Sequence, residues 1–184
     1  MTLEHSTLLH RADIALYGAG VVGLAAFLVE AGPRAYLPIA AFWAVVGWVA
    51  WSAIEYALHR FVLHGVQPFR RWHEAHHQRP AALIGAPTAL SATLIVVLVT
   101  APAWALGGLW FTCALTLGVL AGYFGYAMTH HATHHWRAEG AWLAERKRWH
   151  ALHHHGQHGR CYGVTSSLWD RVFGSTEGRA RRNA

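Results

Sequence analysis

Four spaced groups of histidine crowd the second half of this chain: His59/His64 in HRFVLH, His73/His76/His77 in HEAHH, His130/His134 in HHATHH and His150/His153/His154 in HALHH. Imidazole is the commonest protein ligand for redox-capable transition metals, so ten of them at such spacings suffice to hold two ions. On an α-helix the members of an HxxHH group lie three and four residues apart and share one face. His73, His76 and His77 therefore form one comb, and His150, His153 and His154 another. His130 and His134 stack in the same way. His131 and His135 have the same spacing, so spacing alone leaves the register of HHATHH open. His59 and His64 are five apart and point roughly 140° away from each other on a regular helix. Either the helix ends or kinks between them, or the two address different metals. His5, His10 and His158 stand singly and read as surface or hydrogen-bonded residues.

The elements that must position these groups are apolar. The chain has 184 residues, 54% of them hydrophobic and 13% charged, which fits one all-α integral membrane domain over 1–184. A span needs roughly 20 apolar residues to cross about 30 Å of hydrocarbon. About four transmembrane helices are expected, near 14–29, 36–58, 84–101 and 109–129. The first is short, bounded by Asp13 and Glu30. Pro87 and Pro102 trim the third.

With four spans, the metal-binding regions 59–82 and 130–174 and both termini fall on one side. Of fifteen Lys and Arg residues only Arg34 falls on the other, which marks the histidine side as cytoplasmic, and a bacterial inner membrane is the expected location. The histidine-rich helical cap would then hold a dimetal site at the cytoplasmic mouth of the bundle. The formal charge of +6 reflects this topology and not a nucleic-acid footprint. Arg146, Lys147, Arg148, Arg179, Arg181 and Arg182 are placed to touch anionic lipid heads. Cys113 and Cys161 fall on different levels and in no CxxC pair, so neither a disulfide framework nor a thiolate zinc site is expected. The N-terminus lacks the pattern of a removed signal peptide.

Glu55 sits one turn before His59 and reads either as a partner orienting that imidazole or as an interfacial carboxylate facing water or Arg60. Asp170 has the same two readings. Trp72, Trp136 and Trp149 adjoin the histidine groups, either as walls of a lipid path or as packing.

The order HxxxxH, HxxHH, HxxxH, HxxHH followed by GVTSSLWDRVFG (residues 163–174) resembles the fatty acid hydroxylase/sterol desaturase superfamily, and within it the fatty acyl 2-hydroxylases. The similarity covers roughly residues 43–176. The resemblance implies ligand boxes at His59 and His64, at His73, His76 and His77, at His130 and His134 after Tyr126, and at His150, His153 and His154. One departure is Ala127, where the family often has Asp. Eukaryotic members often carry a fused haem domain, for which this chain has no room.

The implied activity is hydroxylation of a lipid acyl chain by two Fe ions with O2 as co-substrate. The lipid substrate would come from the bilayer and the electrons from a separate donor such as a ferredoxin, haem carrier or reductase. Zinc fits the same imidazoles and can take their place in purified protein, because affinity order favours it over ferrous iron. Carotenoid ring hydroxylases share the length and the first two boxes but generally lack the GVTSSLWDRVFG ending, so they rank second, with a sterol-modifying oxidase. A non-catalytic metal-binding or transporting membrane protein ranks last, since a transporter usually holds its ligands near the bilayer midplane.

Overall fold

A computed structural model describes residues 4–155 and 159–176; His158, Arg179, Arg181 and Arg182 lie outside them. Seven α-helices follow in chain order: α1 Thr7–Ala31, α2 Leu37–Ala57, α3 Phe69–Gln78, α4 Thr88–Ile95, α5 Ala101–His135, α6 Ala141–His155 and α7 Leu168–Val172. Among the described residues no strand forms, and one isolated bridge pairs Glu4 with Ile84.

Local chemistry explains the helix ends. Ser6 caps α1 by accepting from the Leu9 amide at 3.2 Å, and Gly32 with Pro33 ends it, since neither continues a helix well. The α2 helix does not stop at Ala57 but widens into a π-type turn over Leu58–Leu63. A second π-type turn, Val96–Thr100, joins α4 to α5. It precedes Pro102, which lacks an amide proton, and the helix continues past that proline instead of ending there. The Thr100 hydroxyl donates to the Ile95 carbonyl at 3.4 Å within the widened turn.

Three helical stretches are long and apolar enough to cross a membrane: Thr7–Ala31, Arg34–Leu63 and Thr88–His135. The last has 48 residues, more than one straight crossing needs. It is broken at Gly108, where φ is 69° and ψ is −164°. Only glycine adopts this conformation readily, so the stretch forms two apolar arms, one on either side of it. Three such stretches stand where about four spans were expected from sequence, and most of 84–101 and all of 109–129 fall within this single one. The three stretches expose Leu16, Val22, Val29, Phe42, Trp48, Val97, Leu98 and Leu106. Helices apolar on their outward faces are stable in hydrocarbon and not in water.

The chain divides into two compact units. One comprises His5–Trp51 and Gly85–Phe124. Its core joins Leu28, Ala40 and Ala114, with Trp43 and Trp110 packed against them, and edge-on aromatic pairs Trp43/Phe111 at 4.8 Å and Trp51/Tyr123 at 5.2 Å. The other comprises Met1–Glu4, Ser52–Ile84 and Gly125–Ala184, and it contains all ten histidines of the four groups. The boundary falls inside α2 and inside α5; α5 ends in histidines, and α2 runs on into the π-type turn that carries His59.

Candidate metal centre

All ten histidines converge, in two groups of five. The first is His59, His64, His73, His77 and His153; the second is His76, His130, His134, His150 and His154. Within each group one ring nitrogen per residue lies within 4.8 Å of all the others.

The backbone explains this partition. His59 is the second residue of the π-type turn Leu58–Leu63, and His64 directly follows it. Bonding from i to i+5 brings residues five apart onto nearly one face, so the two rings lie 5.3 Å apart in one cluster. Of the alternatives open from spacing (a helix that ends or kinks, or two separate metals), the structure shows a distorted helix, whose widened turn puts both rings in one group.

The two combs also behave differently from a single shared face. In α3 the i, i+4 pair His73 and His77 enters the first cluster, while His76 enters the second. In α6 the pair His150 and His154 enters the second cluster, while His153 enters the first. On a 100° per residue helix the third position departs from the pair by about 60° to one side, enough to serve a neighbouring site. Each cluster is therefore two pairs plus one ligand donated by the other cluster's helix.

Nε2 atoms face each other at short range. In the first cluster His73 Nε2 lies 3.0 Å from both His59 Nε2 and His77 Nε2, and His153 Nε2 lies 3.1 Å from both His64 and His77. In the second, the separations are 3.1 Å for His130 to His76, 2.8 Å for His150 to His134 and 3.1 Å for His154 to His150. One nitrogen carries at most one proton, so such a ring of converging nitrogens cannot be satisfied by hydrogen bonds among its own members. Ligands about 2.1 Å from a shared cation and at right angles to one another stand about 3.0 Å apart. The donor set thus fits a metal ion in each cluster, and a coordination number above the four that structural zinc prefers.

Electrostatics agree. Burial, with neighbouring imidazoles second, holds His76 down at about 3 and His154 at about 2. Burial lowers His153 to about 4 against the opposing pull of the Arg160 carbonyl. Burial also holds His73 and His150 well below the ordinary histidine range. Neutral imidazole is the form that binds metal.

The polypeptide beyond α6 fixes the first cluster. His59 Nδ1 lies 2.5 Å from the Tyr162 carbonyl and His153 Nδ1 lies 2.8 Å from the Arg160 carbonyl. A carbonyl only accepts, so these Nδ1 atoms carry the proton and leave the Nε2 lone pairs facing inward. The carbonyls are held in turn by two buried carboxylates. Glu55 Oε1 accepts from the Val164 and Thr165 amides at 2.8 and 2.9 Å, and its Oε2 accepts from the Thr165 hydroxyl at 2.6 Å. Asp170 accepts from the Tyr162 amide at 2.9 Å, the Gly163 amide at 2.8 Å, the Ser175 hydroxyl at 2.7 Å and Trp149 Nε1 at 3.4 Å. Both acids are buried away from water, and among the hydrogen bonds of the described residues neither meets a histidine or Arg60, the partners their sequence positions allowed. Both act one step removed, by shaping residues 160–165. Gly163 is required there because a Cβ would strike the Ser166 carbonyl.

His131 and His135 stack on each other at 4.4 Å outside both clusters, and His5 pairs with Asp13 at 3.2 Å. Trp72 packs edge-on against Phe69 at 5.4 Å, Trp149 is bound to Asp170, and Trp136 is exposed. Arg160, Tyr162 and Thr165 escape a reading by residue type because they contribute backbone groups or bind an acid out of sequence range.

A family model described as fatty acid hydroxylase matches residues 44–175. The dihydroceramide fatty acyl 2-hydroxylase FAH2 of Arabidopsis thaliana is 35% identical over 147 residues, covering 72% of this chain and 59% of that protein. The ceramide very long chain fatty acid hydroxylase scs7 of Schizosaccharomyces pombe is 32% identical, covering 73% of this chain and 42% of that one. The fatty acid 2-hydroxylase of Homo sapiens is 30% identical, with coverage of 70% and 38%. A solved structure described as full-length scs7p, with only the hydroxylase domain visible, superposes with a TM-score of 0.73 at 27% identity, covering 90% of this chain and 65% of that one. The chain thus spans less than two thirds of the length of each of these relatives.

Proposed function

Because this chain belongs to the fatty acid hydroxylase family, we propose that it is a membrane oxygenase that hydroxylates a lipid acyl chain at the carbon beside the carbonyl, using two iron ions bound by the ten histidines. The observation that carries this reading is the convergence of those histidines into two five-membered clusters. In the overall reaction one oxygen atom of dioxygen enters the C–H bond as hydroxyl. The other leaves as water, with two electrons from a separate donor and two protons from solvent. Iron supplies, when bound, the reduction of dioxygen that attack on an unactivated C–H bond requires.

The chain's own residues bind, orient and exclude. His59, His64, His73, His77 and His153 would hold one ion, and His76, His130, His134, His150 and His154 the other. The carbonyls of Tyr162 and Arg160 fix two rings with Nε2 inward. Burial keeps the imidazoles neutral. His59 and His130 stand near the last turns of apolar helical stretches, so a lipid left in the bilayer would bring its interfacial carbons to them. The excess of Lys and Arg on the histidine side supports a cytoplasmic orientation for that face. The acyl substrate and the 2-position follow the names of the relatives.

Mass spectrometry of lipids formed under ¹⁸O-labelled dioxygen tests the proposal. The expected result is one labelled hydroxyl on the second acyl carbon. Labelled hydroxycarotenoids with unaltered acyl chains, or acyl products without label, would overturn it. Metal substitution gives a second expectation. Protein filled with zinc, which has no redox chemistry, should make no product, and exchange to ferrous iron should restore turnover. Equal activity of the zinc and iron forms would sink the redox reading.

A further inference from the structure

The two clusters are alike in ligand count but not in surroundings. The Tyr162 ring lies against three of the first cluster's five imidazoles, with centroids 5.7 Å from His59, 5.4 Å from His64 and 5.5 Å from His153. The same segment supplies the two carbonyls that hold His59 and His153 by Nδ1, and Glu55 and Asp170 fasten it from below. Tyr162 and Val164 are themselves buried.

The second cluster also carries a ring, Tyr126 stacked on His130 at 5.9 Å, but two of its imidazoles are held less. There Nδ1 of His76 and Nδ1 of His154 are buried without a hydrogen-bond partner, so those rings lack the tether that fixes His59 and His153. A cavity of about 170 Å³ is lined by His134, His150 and His154 together with Lys147 and His155, and by no ligand of the first cluster. That volume holds several waters, and the lining residues Ala151 and His155 are exposed, so the cavity connects the second cluster to solvent.

We infer that the two centres exchange metal unequally: the first is locked under residues 160–165, and the second loads and releases a divalent cation through the cavity beside His155. This rests on the two-ion reading above. Partners that hold a ligand imidazole by its second nitrogen change metal affinity by about 10- to 100-fold in known sites. The first centre has two such partners, whereas two rings of the second have none. A metal-depleted membrane protein would therefore fill the locked centre during folding and the open one afterwards. Partial occupancy would show first as loss from the second cluster.

The test is release of zinc from the full-length, detergent-solubilised protein into excess chelator, followed by residual metal content. Two ions should leave in two phases of equal amplitude, the slower at least about tenfold slower. His134→Ala should abolish the fast phase and keep the slow one, and His64→Ala should do the reverse. Glu55→Gln, which cannot accept from both the amides and the hydroxyl as the carboxylate does, should accelerate the slow phase by about tenfold. The fast phase then reports that the fold is intact. Release of both ions in one phase would overturn the inequality while leaving two centres in place. So would loss of the fast phase in His64→Ala, or equal acceleration of both phases in Glu55→Gln. A wild-type protein that holds fewer than two ions would overturn the two-centre reading and this inference with it.

Discussion

Alanine at His153 or at His76 is expected to abolish hydroxylation, with product falling at least about a hundredfold, while the protein still inserts into the membrane. These two residues are the crossing ligands. His153 reaches from α6 into the cluster built mainly by the π-type turn and α3, and His76 reaches from α3 into the cluster built mainly by α5 and α6. Removing either leaves four imidazoles in one cluster and uncouples the helix that bridges the two. The apolar stretches contain neither side chain, so insertion does not depend on them. Lipid product by mass spectrometry, metal content per chain and extraction with the membrane fraction separate the effects. His131→Ala is the control, since that ring stacks on His135 away from both clusters. Full activity in His153→Ala or His76→Ala would remove that residue from the site, and loss of activity in His131→Ala would reopen the register of the third group.

Which histidines come together was legible in the sequence because HxxHH and HxxxH spacings place imidazoles together on a helix whatever surrounds it. Which ligand goes to which cluster was not. The combs read as single faces, yet the roughly 60° step between the third position and the i, i+4 pair divides each of them between two sites. The relation of His59 to His64 was equally hidden, because a π-type turn depends on tertiary context and leaves no residue signature in LHRFVL. The apolar stretches were visible from composition. The passage of helix through Pro102 was not, since it rests on the widened turn Val96–Thr100, while the break comes later, at Gly108. The GVTSSLWDRVFG segment carried the resemblance without explaining itself. Its physical role, to present two carbonyls to two ligand histidines, belongs to backbone atoms that a residue type does not reveal.

That role makes Asp170 the residue outside the ligand set whose loss should cost most. Its side chain is fully buried and accepts from two amides, a hydroxyl and an indole. With alanine there, the Tyr162 and Gly163 amides and the Ser175 hydroxyl lose their acceptor in a site with no room for bulk water. Each buried donor left unsatisfied costs about 1–3 kcal/mol, and a cavity forms as well. The Tyr162 carbonyl shares a residue with one of those amides, so the disturbance passes directly to His59. Asp170→Ala should lower the unfolding midpoint by several degrees or more and reduce retained metal. Asp170→Asn keeps one acceptor oxygen but turns an amide group toward donors, and it should fall between alanine and the wild type. Thermal unfolding followed by size-exclusion of the detergent-solubilised protein, with metal analysis of the surviving peak, orders the three. If the alanine variant matched the wild type in both measurements, the carboxylate would not be what holds the loop, and the constraint on His59 would have to come from Glu55 alone.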